Sequence, residues 1–191
     1  MNRLSSLLTE VRAWRACKDA LPLGPRPVVQ ISETAGILVA SQAPGTKVHE
    51  SGIPFSDVSG DRLREWIGLL ADQFYDESKI VILPMRLCYP GRKRGGGDAP
   101  PRPGCGPLWR GRRRAHMPHL HLTLLVGTHA QTDVLGTGKM TDRVMAFQQY
   151  LHAVFPLPHP SWRSRHWAAK NWWFEADVDS ALRSAVQDAL A

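Results

Sequence analysis

A short loop of polar and conformationally restricted residues follows the apolar run at residues 36–40. The loop contains Ser41, Gln42, Ala43, Pro44 and Gly45. Proline and glycine hold such a loop in a tight turn, which exposes backbone N–H groups and the Gln42 amide at the end of a strand. His49 and Glu50 come next, and Pro54 then fixes the chain in front of Phe55. We expect the Phe55 ring to offer a flat face on which another ring could stack.

A second loop with functional groups lies near the other end of the chain. His159, Pro160 and Ser161 follow the short apolar segment 155–158. A histidine and a serine at a turn fixed by proline can donate hydrogen bonds to an anion or a phosphate. Each loop alone is a weak signal, because turns are common and a single histidine is more often structural than catalytic.

Together, and in this order, the two loops resemble the two signature motifs of the uracil-DNA glycosylase superfamily. The resemblance is closest to its bacterial and archaeal iron–sulfur branch, often called family four. That branch has a Gly-Glu-Ala-Pro-Gly loop, then Gly-x-Pro-Phe, and finally a loop similar to His-Pro-Ser. The matching residues here are 41–45, 52–55 and 159–161, and the similarity extends over most of residues 10–175. It implies that residues 1–191 form one domain of the uracil-DNA glycosylase type.

The resemblance also implies a reaction, the cleavage of the N-glycosidic bond of a base flipped out of DNA. Phe55 would stack on that base, and His159 would donate to the base oxygen as negative charge builds there. Gln42 occupies the place of the residue that positions or activates water. Further contacts to the substrate are implied for Ala43, Pro44, Gly45, Pro84 and Ser161. Contacts to the DNA are implied for Ser59, Gly60, Arg163, Arg165 and Lys170.

Gln42 is the first departure from the family-four pattern, which usually has Glu at this position. A carboxylate can accept a proton and stabilise a cationic sugar, whereas a neutral amide can only orient water. Other branches of the superfamily work with an amide near this place, so the change does not exclude activity. His49 and Glu50 lie in the same loop and are alternative candidates for the catalytic role.

Pro84 is the second departure. The family pattern places Asn about four residues before the cysteine, where its amide reads the Watson–Crick edge of uracil, and the proline side chain has no donor or acceptor. Two interpretations follow. Either backbone groups near Met85 and Arg86 read the base, or the substrate is not uracil.

The cysteines are the third departure. Cys17, Cys88 and Cys105 cannot all be paired in disulfides, and in a cytosolic protein they are thiols or metal ligands. The resemblance implies a [4Fe–4S] cluster held by four thiolates, and Trp14 stands where the first of them should be. Either the cluster is retained with another fourth ligand, or it is lost and Cys17 is a small buried residue. We favour the loss of the cluster.

The elements that must position these residues alternate along the chain. Apolar runs predict strands at 36–40, 79–87 and 119–127, and helical spacing of apolar residues predicts helices at 3–16, 59–70, 140–154 and 177–190. A long loop rich in Gly, Pro and Arg occupies 88–111, and loops of this length are usually functional or disordered. The alternation predicts a parallel sheet that is covered by helices on both faces. The resemblance implies a single-domain, three-layer α/β/α fold with a central, mostly parallel four-stranded sheet.

Composition narrows the class of protein. The chain has 191 residues, of which 43% are hydrophobic and 21% charged, as in a soluble globular protein. Residues 1–16 carry charges within their apolar stretches, unlike a signal peptide, and no apolar run approaches a membrane span. We therefore expect a cytoplasmic monomer. The net charge of +7 favours a polyanionic partner such as DNA, because neutralising phosphates releases counterions.

The leading hypothesis is a DNA glycosylase that flips out a modified or damaged base and hydrolyses its N-glycosidic bond. An alternative in the same class is a glycosylase for a hypermodified pyrimidine of phage DNA, which would serve antiviral defence instead of uracil repair. The alternative in another class is a catalytically inert module that binds DNA. A metal or redox protein built on the three cysteines lacks a fourth ligand and is the weakest hypothesis.

Overall fold

A four-stranded sheet forms the centre of the computed structural model, which describes residues 3–15, 17–102, 116–151, 153–162 and 164–191. The strands are β1 (Ile37–Ser41), β2 (Ile80–Pro84), β3 (Leu122–Val126) and β4 (Val154–Leu157), in the order β2-β1-β3-β4. All pairings among them are parallel, and Ile37 lies opposite both Ile80 and Leu122. The expected α/β fold with four central strands is thus confirmed, and the sheet is entirely parallel where we expected it to be mostly so.

Helices precede, connect and follow the strands. Their bounds are α1 (Arg3–Ala13), α2 (Thr46–Ser51), α3 (Val58–Ile67), α4 (Ala71–Phe74), α5 (Thr128–Leu135), α6 (Met140–Met145), α7 (Ser164–Lys170) and α8 (Asp179–Leu190). Short 3₁₀ turns occur at Lys18–Ala20 and Phe147–Tyr150, and a π-helical turn at Phe174–Val178 leads into α8. None of the described helices is long and apolar enough to cross a membrane.

Apolar residues cover both faces of the sheet. Ile37 and Val39 of β1 point to one face, where they pack in a cluster with residues of α3 and α8 such as Leu63 and Leu182. The intervening residues Leu38 and Ala40 belong to clusters on the other face, which α1 and α5 help to build. This two-sided burial explains why the strands read as continuous apolar runs instead of alternating ones. It gives the three layers expected from the sequence.

The predicted element boundaries need several corrections. The helix predicted at 140–154 is wrong in its second half, because α6 ends at Met145 and Val154 already begins β4. Residues 155–157 pair with β3 instead, and Pro156 is tolerated there because β4 is an edge strand. The helix predicted at 59–70 ends at Ile67, where Gly68 adopts a left-handed conformation with φ +68°. The short helices α2, α4, α5 and α7 were not predicted.

Candidate active site

An open cleft of about 600 Å³ lies at the carboxyl ends of the strands. The predicted site residues that line it are Gln42, Ala43, Pro44, Gly45, Phe55, Ser59, Pro84, His159 and Ser161. The chain leaves β1 toward β2 on one side and returns to β3 on the other, so the cleft lies at the topological switch point of the sheet. Ligands of parallel α/β sheets bind at this place, and the volume is in the usual range for a small-molecule site.

The aromatic wall of the cleft is held in a strained backbone conformation. Phe55 has φ +54°, and among the described residues it is the only one other than glycine with a positive φ. Tyr75 donates its hydroxyl to the Phe55 carbonyl at 3.1 Å, and the Phe74 ring meets the Phe55 ring edge-on at 6.2 Å. Gly60 passes so close that a β carbon there would lie 1.7 Å from the Phe55 carbonyl oxygen. Strain that neighbours maintain in this way is typical of functional sites.

His159 faces the cleft from the loop after β4. Its backbone lies against Gly127 at the end of β3, where an added β carbon would be 3.1 Å from His159 Cβ. The His159 carbonyl accepts hydrogen bonds from the Ser161 N–H at 2.9 Å and from the Ser164 hydroxyl. Arg62 of α3 donates to the Ser161 carbonyl at 3.3 Å. These contacts fix the direction in which the His159 ring enters the cleft.

The electrostatic surroundings favour an uncharged His159. Burial lowers the pKa of His159 below 6.5, and it is the largest influence on that pKa. Asp57 and then Asp98 raise the pKa in opposition, and His129 lowers it. The imidazole is therefore neutral at pH 7, and it can donate one N–H hydrogen bond to an acceptor in the cleft.

The cleft is also lined by two carboxylates that were not predicted from the sequence. Asp57 is the N-cap of α3, and its Oδ1 accepts from the N–H groups of Ser59 and Gly60, both at 3.1 Å. Asp-Val-Ser-Gly before a helical run is a readable capping signal. Asp98 comes from the predicted loop 88–111, and no local pattern in that loop would have placed it here.

Pro84 lines the cleft at the end of β2, and the backbone beyond it is already used for folding. The Met85 N–H donates to the Ser41 carbonyl at 2.7 Å, and the Arg86 N–H donates to the Gln42 carbonyl at 3.0 Å. These two N–H groups are therefore already bonded within the protein in this conformation.

His49 and Glu50 are not brought into the lining of the cleft. His49 is buried in α2, its ring lies 5.8 Å from that of Tyr89, and its Nδ1 has no hydrogen-bond partner among the described residues. Burial, followed by the charge of Arg26, lowers the pKa of His49, while Glu50 raises it. Glu50 is exposed, and its carbonyl accepts from Arg26 at 2.8 Å. Their role as substitutes for Gln42 stays a prediction that their positions do not support.

The predicted DNA-binding residues are spread over a wider surface. Ser59 lines the cleft, whereas Gly60 is buried with its N–H bonded to Asp57. Arg165 lines a second cleft, between α3 and α7, and Lys170 is exposed at the end of α7. Arg163 lies outside the described residues. Trp162, which is 66% exposed, also lines the main cleft and was not predicted as a site residue.

The cysteines form part of an apolar cluster on the other face of the sheet. Cys88 is buried there, and Cys17 and Trp14 are partly buried against the same cluster. An indole has no lone pair to give to iron, and Cys105 lies outside the described residues. Within the described residues no group of three His, Cys, Asp or Glu could hold a metal ion. Two thiols and an indole do not fit a four-thiolate cluster, so the loss of the cluster stays our prediction.

The family model described as "Uracil DNA glycosylase superfamily" matches residues 28–183. Among solved structures, the chain is similar to a protein from Methanosarcina acetivorans, described as a candidate uracil DNA glycosylase, whose structure was determined by solution NMR. The two are 17% identical, the match covers 82% of this chain and 94% of the other, and the TM-score is 0.43.

Proposed function

The chain belongs to the uracil-DNA glycosylase superfamily, and we propose that it hydrolyses the N-glycosidic bond of a modified or damaged base in DNA. The observation that carries this proposal is the meeting of Phe55 and His159 in one cleft. They lie far apart in the sequence, and each enters the cleft from a loop that follows a parallel strand. A base flipped out of the duplex could stack on Phe55 while a base oxygen meets His159.

The proposed bond cleavage uses the neutral state of His159. The bond between C1′ and the base nitrogen breaks, and its electron pair leaves with the base. His159 donates an N–H hydrogen bond to the base oxygen on which the negative charge develops. The sugar passes through a state that resembles an oxocarbenium ion, and water then forms the new bond to C1′. The water proton passes to a basic group, and an abasic site and a free base are the products.

A neutral imidazole suits this step. Burial lowers the pKa of His159, so the imidazole is uncharged at pH 7 and still donates through its one ring N–H. A donor of this kind that is fixed before the reaction stabilises developing charge at no cost in reorganisation. The Ser161 and Ser164 contacts to the His159 carbonyl provide such fixation.

A second candidate function differs in the base that is removed. Pro84 offers no side-chain group that could read a Watson–Crick edge, and the adjacent N–H groups of Met85 and Arg86 are bonded elsewhere. These two observations favour a base other than uracil, such as a hypermodified pyrimidine of phage DNA. In that case the protein would act in defence against phage.

The proposal is tested by incubating purified protein with oligonucleotides that each carry one altered base. The set contains uracil, hypoxanthine, an alkylated base and glucosylated hydroxymethylcytosine, each in single- and double-stranded DNA. Abasic sites are read as strand breaks after treatment with alkali. We expect breaks in one class of substrate. Breaks in the oligonucleotide with glucosylated hydroxymethylcytosine would support the second candidate function.

The same assay separates a glycosylase from an inert DNA-binding module. Absence of breaks in every oligonucleotide, with DNA binding retained in a gel-shift measurement, would contradict the proposal and favour the module. His119→Ala offers a control for general effects of histidine removal, because His119 is exposed and does not line the cleft.

A further inference from the structure

We propose that the Asp98 carboxylate is the general base of this cleft and takes the role that Gln42 cannot fill. The inference rests on the proposed glycosylase function and names a further catalytic residue for it. Gln42 has a neutral amide, which can orient a water molecule but cannot accept its proton. A carboxylate elsewhere in the cleft can accept that proton, and Asp98 supplies one from a part of the chain outside both motif loops.

A small hairpin carries Asp98 to the cleft. Arg92 and Asp98 form an antiparallel bridge, and the N–H of Lys93 donates to the Gly97 carbonyl at 2.9 Å. Gly96 and Gly97 close the turn with φ +87° and +76°, which is why glycine is required there. Backbone hydrogen bonds of the hairpin therefore hold Asp98 in its position at the cleft.

The Asp98 carboxylate lies over the same loop that contains Gln42. A β carbon built on Gly45 would be 3.1 Å from Asp98 Oδ2, so this oxygen is close to the backbone three residues beyond Gln42. Thr46 Oγ1 lies 3.4 Å from Asp98 Oδ1 and 2.9 Å from the Tyr89 hydroxyl. Thr46 is the donor in both contacts, and its one proton can go to the Tyr89 hydroxyl or to Asp98 Oδ1. Asp98 Oδ2 lies on the side of the Gly45 backbone.

Asp57, the other described carboxylate in the cleft, is less suited to accept a proton. Its Oδ1 accepts the N–H groups of Ser59 and Gly60 at the start of α3, and such bonds stabilise the charged form. Asp57 is therefore occupied as a helix cap, whereas Asp98 caps none of the described helices and its Oδ1 contacts the Thr46 hydroxyl. Asp98 is also exposed, so water can reach it.

The proposed step is balanced in protons and electrons. As the bond between C1′ and the base breaks, the base takes the electron pair, and the negative charge of Asp98 faces the cationic sugar. The water oxygen bonds to C1′, and one water proton passes to Asp98. That proton later leaves to solvent or to the departing base, which restores the carboxylate.

Single-turnover excision by four proteins tests the inference: wild type, Asp98→Asn, Gln42→Glu and the double variant. The substrate is the oligonucleotide that wild type cleaves fastest. General acid–base catalysis contributes about 10²–10⁴-fold, so we expect Asp98→Asn to slow excision by this factor. Gln42→Glu should accelerate the Asp98→Asn protein by more than it accelerates wild type, because it restores a carboxylate to the same loop. Asp72→Asn, an exposed change of equal charge in α4, should leave the rate unchanged.

Two further measurements distinguish catalysis from a structural role. Binding of DNA that contains a tetrahydrofuran abasic analogue should not weaken in Asp98→Asn. NMR titration should show a lower pKa for His159 in Asp98→Asn, because Asp98 raises that pKa in the wild type. The role of Asp98 would be overturned if Asp98→Asn excised the base within threefold of the wild-type rate, or if the pKa of His159 did not change. Excision by the wild type would in that case still support a glycosylase. Absence of excision by wild type would instead overturn both proposals.

Discussion

The cleft at the strand ends differs in construction from the cysteine cluster on the other face of the sheet. In the cleft, residues of both motif loops meet, the Phe55 backbone is strained, and partly buried His159 is held by contacts to its carbonyl. In the cluster, Cys17, Cys88 and Trp14 pack among aliphatic side chains. The first region is built as a site for chemistry, and the second region is built as a core.

This difference shows which constraint acts on each region. Phe55 is kept at φ +54° although most residues avoid this conformation, and such strain persists only where surrounding contacts impose it. Trp14 fills space that a smaller ligand residue would leave open, and it buries apolar surface without any strained backbone. Packing is therefore a sufficient explanation for the cysteine cluster, whereas the strained Phe55 in the cleft is what the proposed function leads us to expect.

Among the changes that compare the cleft with the cysteine cluster, replacement of His159 gives the largest effect that we expect. His159→Ala removes the donor to the departing base, and loss of such a donor costs about 10²–10³-fold in the rate of the chemical step. Single-turnover excision measures the loss, and affinity for DNA should change far less. His119→Ala, at an exposed position outside the cleft, is the matched control. Equal excision by His159→Ala and wild type would show that the cleft does not act as proposed.

Replacement of Phe55 comes second. Phe55 is only 8% exposed, and Phe55→Leu keeps an apolar side chain there but removes the flat ring. Stacking of an aromatic ring on a base is worth about 1–3 kcal/mol. We expect kcat/KM for excision to fall by at least about fivefold. Phe147→Leu makes the same change in the core, against Phe155, and should lower stability with little effect on excision. A similar loss of excision in both variants would indicate that only stability matters.

The cysteine cluster should show a smaller and purely structural effect. Cys88→Ala should lower the free energy of unfolding by about 1 kcal/mol, as is usual for a single substitution in a core. The purified wild-type protein should contain no stoichiometric iron and should be colourless. Our interpretation of the cysteine cluster as part of the core would be wrong if the purified protein were brown and had the absorbance of an iron–sulfur cluster. In that case Cys88→Ala would remove the absorbance and several kcal/mol of stability.

The pH dependence of stability should give the smallest effect. The pKa of His159 in the folded protein is lowered by burial, whereas the unfolded chain has the ordinary value of 6.5. Between the two values the unfolded state binds more protons, so the free energy of unfolding should fall as the pH falls below 6.5. Denaturant titrations from pH 7.5 to 5 measure this trend. His159→Ala should reduce the slope, and an unchanged slope would show that His159 is not buried in the neutral form.

The sequence predicted the parts of this molecule that depend on local pattern. The apolar runs that became β1, β2 and β3 were recognisable, and the loops after β1 and β4 were expected at one edge of the sheet. The contribution of Asp98 was not predictable, because it depends on a hairpin folding back over a distant loop. The end of the predicted helix at 140–154 was missed because pairing of Val154 with β3 outweighed a helical pattern.

Mass spectrometry of what the protein releases from DNA tests the proposed glycosylase function most directly. Wild-type protein is incubated with the set of oligonucleotides that carry altered bases, and small molecules and strands are analysed together. We expect an intact free base in solution and, in equal amount, a strand that carries an abasic site. Binding of DNA without release of a base from any oligonucleotide would contradict the proposed function.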